Sequence, residues 1–363
     1  MKILFYYTSN QRSISMESVM IGFKKQGHDV LVLTQTPYGK LHEELEKNGI
    51  PTYTHVVKKS ISLIYYWRHV RLLVGFLKKH QPQIVYSHLQ QANIVAVFAQ
   101  RHFKARFYIC RHHTLSNAGN ERRFDKIINK KAQTIIVPSQ TVFDHLVNVE
   151  KVSPSRIKLI YYGYDFSKYN TPSHQEVEHI RKTFSCKLLM VKIARLVEGK
   201  RYIILFDAIK RLVFENGLDI KLIVISDGPL FDVFTQYITE NKLEKHIFLL
   251  GQRQNIIDYL SACDIVPLLS ESEASNNVIK EAGLAKKAVI VCKGVGDFSD
   301  YISNEVNGFL VDKENPYPEL VNYIMLIYKN QFPVEEIGKR LQKTVIDTFS
   351  IDKVLDHYTP LNQ

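Results

Sequence analysis

The stretch S-E-S-E-A-S-N-N-V-I-K-E-A-G, from Ser270 to Gly283, sets Glu273 and Glu281 in an E-x7-E pair. If the residues between them are mostly helical, at 1.5 Å rise per residue the two carboxylates stand roughly 12 Å apart. That span fits two sugar rings joined by a diphosphate. Carboxylates recognise the hydroxyls of a sugar and of a ribose, while the amides at the start of a helix receive the phosphates between them. Asn276 and Asn277 suit a helix terminus, and with Ser275 and Val278 they form a candidate phosphate-receiving turn. The plain alternative is a capped helix with two solvated glutamates.

Working outward, this segment lies between two apolar runs, Ile265 to Leu268 and Ala288 to Cys292, and three more precede them: Leu188 to Ala194, Lys221 to Ser226 and Ile247 to Leu250. The N-terminal half has the same rhythm, with Ile3 to Tyr7, Asp29 to Thr34, Ile84 to Ser87, Arg106 to Cys110, Thr134 to Pro138 and Ile157 to Tyr161. Strands rich in Ile and Val with amphipathic stretches between them read as parallel sheets covered on both faces. The fold class expected is therefore α/β, with two Rossmann-like doubly wound domains facing a central cleft. The polar run N-T-P-S-H-Q, Asn170 to Gln175, marks the boundary, giving domains 1–170 and 171–345. The tail from Pro333 onward reads as helices.

Two further constellations sit at expected strand ends. In A-R-L-V-E-G-K-R, Arg195 and Lys200 follow the strand Leu188 to Ala194, at the edge where open α/β sheets bind ligands. A guanidinium fork and an ammonium together neutralise a departing diphosphate without a metal. S-D-G-P ends the next strand, with Asp227 and Gly228. L-G-Q-R ends the one after, with Gln252 and Arg253. Turns at successive strand ends place backbone amides and carbonyls around one crevice, although either alone is ordinary punctuation.

The chain has 363 residues and a net charge of +12. Residues 1–170 carry 25 basic and 10 acidic side chains, a net of +15, whereas residues 171–363 carry 23 and 26, a net of −3. A one-sided field of that kind points to an anionic partner for the N-terminal half: nucleic acid, a phospholipid surface or a phosphorylated substrate. The four cysteines, Cys110, Cys186, Cys263 and Cys292, form no CxxC pair, which speaks against a zinc site or a disulfide framework. The sequence offers neither a signal-peptide core nor an apolar run of 18 residues. A cytoplasmic protein is expected, with any membrane contact peripheral and on the inner face.

The order of these elements resembles the retaining glycosyltransferases of the GT-B fold, in particular the large group called family 4. That family runs I-x-N-G-x-D, R-L-x-x-x-K, G-x-G-P, F-L-G, E-x7-E and N-G-F-L-V. Here stand L-I-Y-Y-G-Y-D at Leu159 to Asp165, Arg195 to Lys200, D-G-P at Asp227 to Pro229, F-L-L-G at Phe248 to Gly251, Glu273 with Glu281, and N-G-F-L-V at Asn307 to Val311. The resemblance implies transfer of a sugar from a nucleotide-diphosphate donor, with a UDP-sugar ahead of a GDP-sugar, to a hydroxyl of a glycan or lipid-linked acceptor. It implies an acceptor-binding first domain, a donor-binding second one and a C-terminal helix, about 345–363, packed back on the first. It also places Arg195 and Lys200 on the diphosphate, Glu273 on the transferred sugar, Glu281 on the ribose and the turn at Gln252 and Arg253 at the base. A histidine near the reacting sugar follows the fifth N-terminal strand, in C-R-H-H-T-L-S; His113 is the choice and His112 the alternative. No D-x-D occurs in the chain, so a metal-bridged diphosphate is not expected, and with the nucleotide-sugar as substrate no cofactor is expected either. The first loop, T-S-N-Q-R-S, lacks the family's paired glycines, and V-G-D-F-S-D stands where a glycine pair and a glutamate are usual.

The basic excess can then be read locally. In Y-Y-W-R-H-V-R-L-L-V-G-F-L-K-K, Tyr66, Val70, Leu73, Val74 and Leu77 share one helical face, and Arg68, Arg71, Lys78 and Lys79 the other. With Lys58, Lys59 and Trp67 this face makes a candidate acceptor or membrane surface, and polybasic segments gain about 1 kcal/mol per charge at anionic lipid. Arg122, Arg123 and Lys126 form a second basic stripe. A nucleic-acid-binding protein would also explain the charge, but the chain has no zinc-finger spacing or RNP motif. An NAD(P) oxidoreductase lacks its G-x-G-x-x-G. A GT-B-like nucleotide-sugar epimerase or a non-catalytic relative remains the alternative within the sugar field.

Overall fold

The structure, a computed structural model, describes residues 1–58, 62–112 and 120–358. The chain divides into two compact units, Met1–Ser167 with Phe349–Gln363, and Lys168–Thr348.

In the first unit β1 (Lys2–Tyr7), β2 (Asp29–Thr34), β3 (Thr52–Thr54), β4 (Ile84–His88), β5 (Arg106–Cys110), β6 (Thr134–Val137) and β7 (Ile157–Leu159) form one parallel sheet. Its order is β3-β2-β1-β4-β5-β6-β7. Side chains alternate across the sheet, so a single strand feeds two cores. Leu4 and Tyr6 join Leu31, Leu33, Val85 and Ile109 on one face; Ile3, Phe5 and Tyr7 join Val30, Val32, Tyr86 and Tyr108 on the other.

The second of these cores is completed by the chain's end. The helix Ile351–Tyr358 lies against the helix Ile14–Lys25, and a Cβ on Gly22 would stand 2.6 Å from Leu355 Cδ1. Gly163, in Y-Y-G-Y-D, is needed for the same close approach: its Cβ would stand 2.7 Å from Ile351 Cδ1. Tyr164 N–H donates to Phe349 O at 2.8 Å and Ile351 N–H to Tyr164 O at 3.0 Å, which fixes where the tail joins.

In the second unit β8 (Leu188–Ile193), β9 (Ile220–Ile225), β10 (Ile247–Leu249), β11 (Ile265–Leu268), β12 (Ala288–Cys292) and β13 (Phe309–Val311) form a parallel sheet of order β10-β9-β8-β11-β12-β13. Both sheets are doubly wound α/β, as the sequence pattern leads one to expect.

Two strands escape that pattern, β3 and β13. Each is a three-residue strand at the edge of its sheet; Thr-Tyr-Thr has no apolar run, and Phe-Leu-Val enters the sequence reading only as part of N-G-F-L-V. The expected boundary at Asn170 to Gln175 also needs correcting. The units divide at Ser167/Lys168, and the polar run opens a helix, His174–Thr183, with Ser173 Oγ accepting from Glu176 N–H at 3.4 Å. The run is polar because it caps a helix. Among the described residues no helix is long and apolar enough to cross a membrane.

Candidate active site

In the second sheet the strand order reverses between β8 and β11. Connections leave these neighbours in opposite directions, which opens a crevice at their carboxyl ends. The segments that enter it are Ala194–Lys200 after β8 and Leu269–Asn276 after β11, the two that carry Arg195, Lys200 and Glu273. Lys200 Nζ donates to Glu273 Oε1, and both side chains are largely buried. Glu271 N–H donates to Gly199 O at 3.0 Å, so backbone as well as side chains join the two loops.

The neighbouring turns are tied to the same rim. Leu196 N–H donates to Asp227 O at 3.1 Å and Leu230 N–H to Leu196 O at 3.2 Å. Gly228 makes this possible, because a Cβ there would stand 2.5 Å from Leu196 O. Ser226 N–H reaches Gly251 O at 3.1 Å, bringing in the turn with Gln252 and Arg253. Arg195, Asp227, Gln252 and Arg253 are exposed on this rim, Arg253 donating only to the Gln252 carbonyl, at 3.0 Å, among the bonds described for it.

The expectation for the E-x7-E segment is corrected in one respect. Glu273 lies in a loop, and the helix begins only at Asn277, running to Leu284, with Asn276 Oδ1 accepting from Ile279 N–H at 3.3 Å. Asn276 caps here because an extended residue with a short amide serves the first turn best. The 1.5 Å rise therefore does not apply across the whole segment, and the 12 Å span lapses with it. Glu281 is on the helix, largely buried, and burial raises its pKa. Tyr169 lies near it, its own pKa raised by burial and then by the Glu281 charge. Val278 is half-buried in the first turn and Asn277 exposed.

Sequence reading missed the residues beneath these loops. Lys192, inside the otherwise apolar strand Leu188–Ile193, is fully buried. Its Nζ donates to Lys200 O at 2.7 Å and lies 4.3 Å from the Tyr202 ring centroid, and burial pulls its pKa down to about 7. Lys280 and Asp297 are a second buried charged pair, with Ser275 hydrogen bonded to both. The signal available was a lysine at a core position: Lys280 shares the helix's buried side with Ile279, Ala282 and Gly283. Arg201 was missed too; its Nε donates to Glu271 Oε1 at 3.0 Å.

In the first unit the order reverses between β1 and β4. His88, at the end of β4, is buried, and its Nδ1 lies 3.2 Å from His112 Nε2. His112 Nδ1 in turn lies 2.5 Å from the Tyr162 hydroxyl, so both of its ring nitrogens are engaged. Burial, then His112, pushes the His88 pKa well down. His113 and Lys59 lie outside the described residues. Arg111, just before these histidines, is structural: its guanidinium meets Glu150 at 3.0 Å, Asp125 at 3.3 Å and Asn129 at 2.8 Å.

On the helix Ser62–His80, Leu73 and Leu77 are buried and Tyr66, Val70 and Val74 pack against the core. Trp67, Arg68 and Arg71 are exposed, as are Leu63, Ile64 and Leu72, with Arg71 5.7 Å from the Trp67 ring. Lys58 is exposed before this helix, and Arg122, Arg123 and Lys126 are exposed on the helix Asn120–Lys131.

Two doubly wound units, with cationic and acidic groups gathered at the switch point of the second, define a sugar transferase of the GT-B class. The family model "Glycosyl transferases group 1" matches residues 175–344 and the model "Glycosyltransferase Family 4" matches residues 14–168. The chain belongs to the family-4 glycosyltransferases.

Among its relatives is the Escherichia coli UDP-Gal:alpha-D-GlcNAc-diphosphoundecaprenol alpha-1,3-galactosyltransferase, 25% identical over 88% of this chain and 86% of that one. Another is the Campylobacter jejuni N-acetylgalactosamine-N,N'-diacetylbacillosaminyl-diphospho-undecaprenol 4-alpha-N-acetylgalactosaminyltransferase, 25% identical over 62% of each chain. The crystal structure of Anabaena HepE in complex with UDP has the same fold, with a TM-score of 0.84 at 23% identity over 99% of this chain and 98% of that one. With these sugar transferases as relatives, neither the nucleic-acid reading nor the oxidoreductase reading is favoured.

Proposed function

We propose that the chain transfers a sugar from a UDP-sugar to a hydroxyl of a lipid-linked or glycan acceptor, in the assembly of a surface polysaccharide or glycoconjugate. The reaction keeps the anomeric configuration and uses no metal or cofactor. The observation that carries the reading is the Lys200–Glu273 pair at the β8/β11 switch point. The UDP-Gal donor named for the Escherichia coli relative and the diphospho-undecaprenol acceptors named for both relatives support it.

In this mechanism the bond from the anomeric carbon to the diphosphate oxygen breaks while the acceptor oxygen forms its bond on the same face. The acceptor's proton passes to the leaving phosphate oxygen. Arg195 and Lys200 stabilise the charge that develops there, and each such donor is worth about 3 kcal/mol in a water-poor site. An ammonium has three donors, so Lys200 can hold Glu273 and still meet a phosphate. Glu273 binds a hydroxyl of the transferred sugar, Glu281 the ribose, and the first-turn amides at Asn277 and Val278 face the phosphates. The turns at Asp227, Gly228, Gln252 and Arg253 border the nucleoside. His113 is assigned to the reacting sugar, since His112 has both ring nitrogens engaged with His88 and Tyr162.

The first unit supplies the acceptor side. Its basic face, with Leu63, Ile64 and Trp67 exposed among Arg68 and Arg71, has the composition of a helix that rests on anionic lipid. The protein then works at the cytoplasmic face of a membrane as a peripheral enzyme.

A thermal-shift panel of UDP, GDP, ADP and their sugars tests the donor. UDP and a UDP-sugar should raise Tm, in excess EDTA as well as without it. No shift with any nucleotide removes the donor assignment, and turnover that strictly requires Mn²⁺ or Mg²⁺ removes the metal-free one.

A further inference from the structure

Below the Glu273 loop lies a charged cluster that the reaction as written does not use. Lys280 and Asp297 are fully buried, with Nζ 2.5 Å from Oδ2. Ser275 Oγ donates to the same Oδ2 at 2.5 Å and accepts from Lys280 Nζ at 2.8 Å. The three residues come from three segments: the loop after β11, the helix Asn277–Leu284 and the loop after β12.

The loop after β12 bears directly on Glu273. Gly296, beside Asp297, has φ +54°, and a Cβ there would stand 2.9 Å from Glu273 Cβ and 3.2 Å from both the Glu273 and Ala274 carbonyl oxygens. Where Asp297 is held therefore decides where the backbone beneath Glu273 sits. The Lys280 pKa is pulled down by burial and held up first by Asp297, with Glu273 and Asp300 adding to it, so this ammonium and the Glu273 carboxylate feel one another.

Stability alone does not account for such a pair. Two ions lose their hydration on burial, and an apolar pair of similar volume is commonly as stable or more so. In some proteins a buried ion pair fixes one arrangement of the segments that carry it, and that is the role tested here. The remaining carboxylate oxygen, Asp297 Oδ1, has no hydrogen-bond partner among the described residues, so the bonds that hold this carboxylate are the two to its Oδ2 from Ser275 and Lys280.

We propose that Lys280, Asp297 and Ser275 are positioning residues that hold Glu273 and its loop in the geometry required at the transferred sugar. The inference rests on the donor reading above.

The test uses the full chain with both charges removed together, Lys280→Met with Asp297→Asn. Three quantities are read: Tm, UDP affinity by calorimetry, and UDP release from UDP-galactose or UDP-N-acetylglucosamine, whichever the wild type turns over. The double variant should stay folded, with Tm within about 5 °C, and bind UDP within threefold of wild type. Its kcat should fall at least tenfold, since a misplacement of about 1 Å can cost about 10²-fold.

A kcat within threefold of wild type overturns the proposal. So does an equal loss of UDP affinity and kcat, which would mean that the pair serves the unit as a whole. A wild type that binds neither UDP nor UDP-sugar sinks the donor reading itself, and this inference with it. Should the double variant not fold, Ser275→Ala removes the link without stranding a charge. It should lower kcat several-fold at unchanged UDP affinity, with Ser275→Thr restoring it; wild-type kcat in Ser275→Ala overturns the proposal.

Discussion

The two sheet edges where strand order reverses are held by different groups. At the β8/β11 edge the loops are knitted to one another through Glu271 to Gly199, Leu196 to Asp227, Ser226 to Gly251 and Lys200 to Glu273, with buried lysines beneath. At the carboxyl ends of the first sheet the linked side chains are instead His88, His112 and Tyr162. Both edges leave buried polar atoms without partners among the described residues: Gln35 Oε1 and His88 Nε2 at the first, Ser270 Oγ and Asp297 Oδ1 at the second. By sequence the first unit carries 25 basic and 12 acidic side chains, the second 23 and 24. A site for a ligand with fixed diphosphate geometry gains from loops ordered in advance, since ordering then costs nothing at binding. A polar group that stays unpaired when buried is costly, so the unpartnered atoms at both edges are places where a ligand's hydrogen bond is gained. What differs is the network of ion pairs, present at the second edge and replaced by histidines at the first.

The sharpest way to break this contrast is Lys200→Ala. It removes the ammonium that links the two loops and strands Glu273, half of a largely buried pair. We expect kcat for UDP-sugar turnover to fall by about 10²- to 10³-fold, the loss typical of one donor aimed at developing charge. Circular dichroism should show the fold retained, and near-normal turnover would take Lys200 out of the mechanism. Arg195→Ala, which touches no knitting contact, should also lose turnover heavily.

The basic side is tested by Arg68→Gln with Arg71→Gln. If each charge contributes about 1 kcal/mol at anionic lipid, the pair should cost about 30-fold in binding to vesicles of phosphatidylglycerol and phosphatidylcholine. The wild type itself should bind less as salt rises. Wild-type affinity in the double variant would leave the charge to the acceptor alone. Glu281→Gln keeps the shape of a side chain on the second edge and deletes its charge. Hydrogen bonds to a charged acceptor are worth about 1.5–3 kcal/mol, so UDP affinity should drop about tenfold or more at unchanged Tm. An unchanged affinity would remove Glu281 from the ribose.

Most of the architecture was legible because both sheets are parallel and buried on two faces, and such strands announce themselves as apolar runs. Thr52–Thr54 did not, because Thr-Tyr-Thr is half polar, and Phe309–Val311 is apolar but stands in N-G-F-L-V, where the motif drew the reading. In the candidate site, the strand-end positions of Arg195, Lys200 and Glu273 were legible because loops at the carboxyl ends of strands carry polar residues that the fold does not require. The helical reading between Glu273 and Glu281 failed locally: spacing shows which residues share a motif, while the cap at Asn276 decides where the helix starts. Lys192 and Lys280 were hidden for the opposite reason. A single lysine in a core phase looks like an exception until its partner, distant in sequence, is known.

Lys192 gives the smallest expected effect and the one whose sign is most constrained. Its ammonium is buried below Lys200, facing the charges of Lys200 and Glu273 and the thiol of Cys292, and burial holds its pKa at about 7 against an ordinary 10.5. Below pH 7 the lysine is protonated in both folded and unfolded chains, so the folded state carries the full cost of a buried charge. Between pH 7 and 10.5 the unfolded chain holds a proton that the folded one has released, and stability rises with pH across that window. Lys192→Met has no such proton. The Tm difference between wild type and Lys192→Met should therefore move in favour of the wild type by a few degrees from pH 7 to pH 9.5, and stay flat from pH 5.5 to 6.5. A difference that is flat throughout would mean that this amine keeps its charge, and that the second edge holds three charged lysines in place of two.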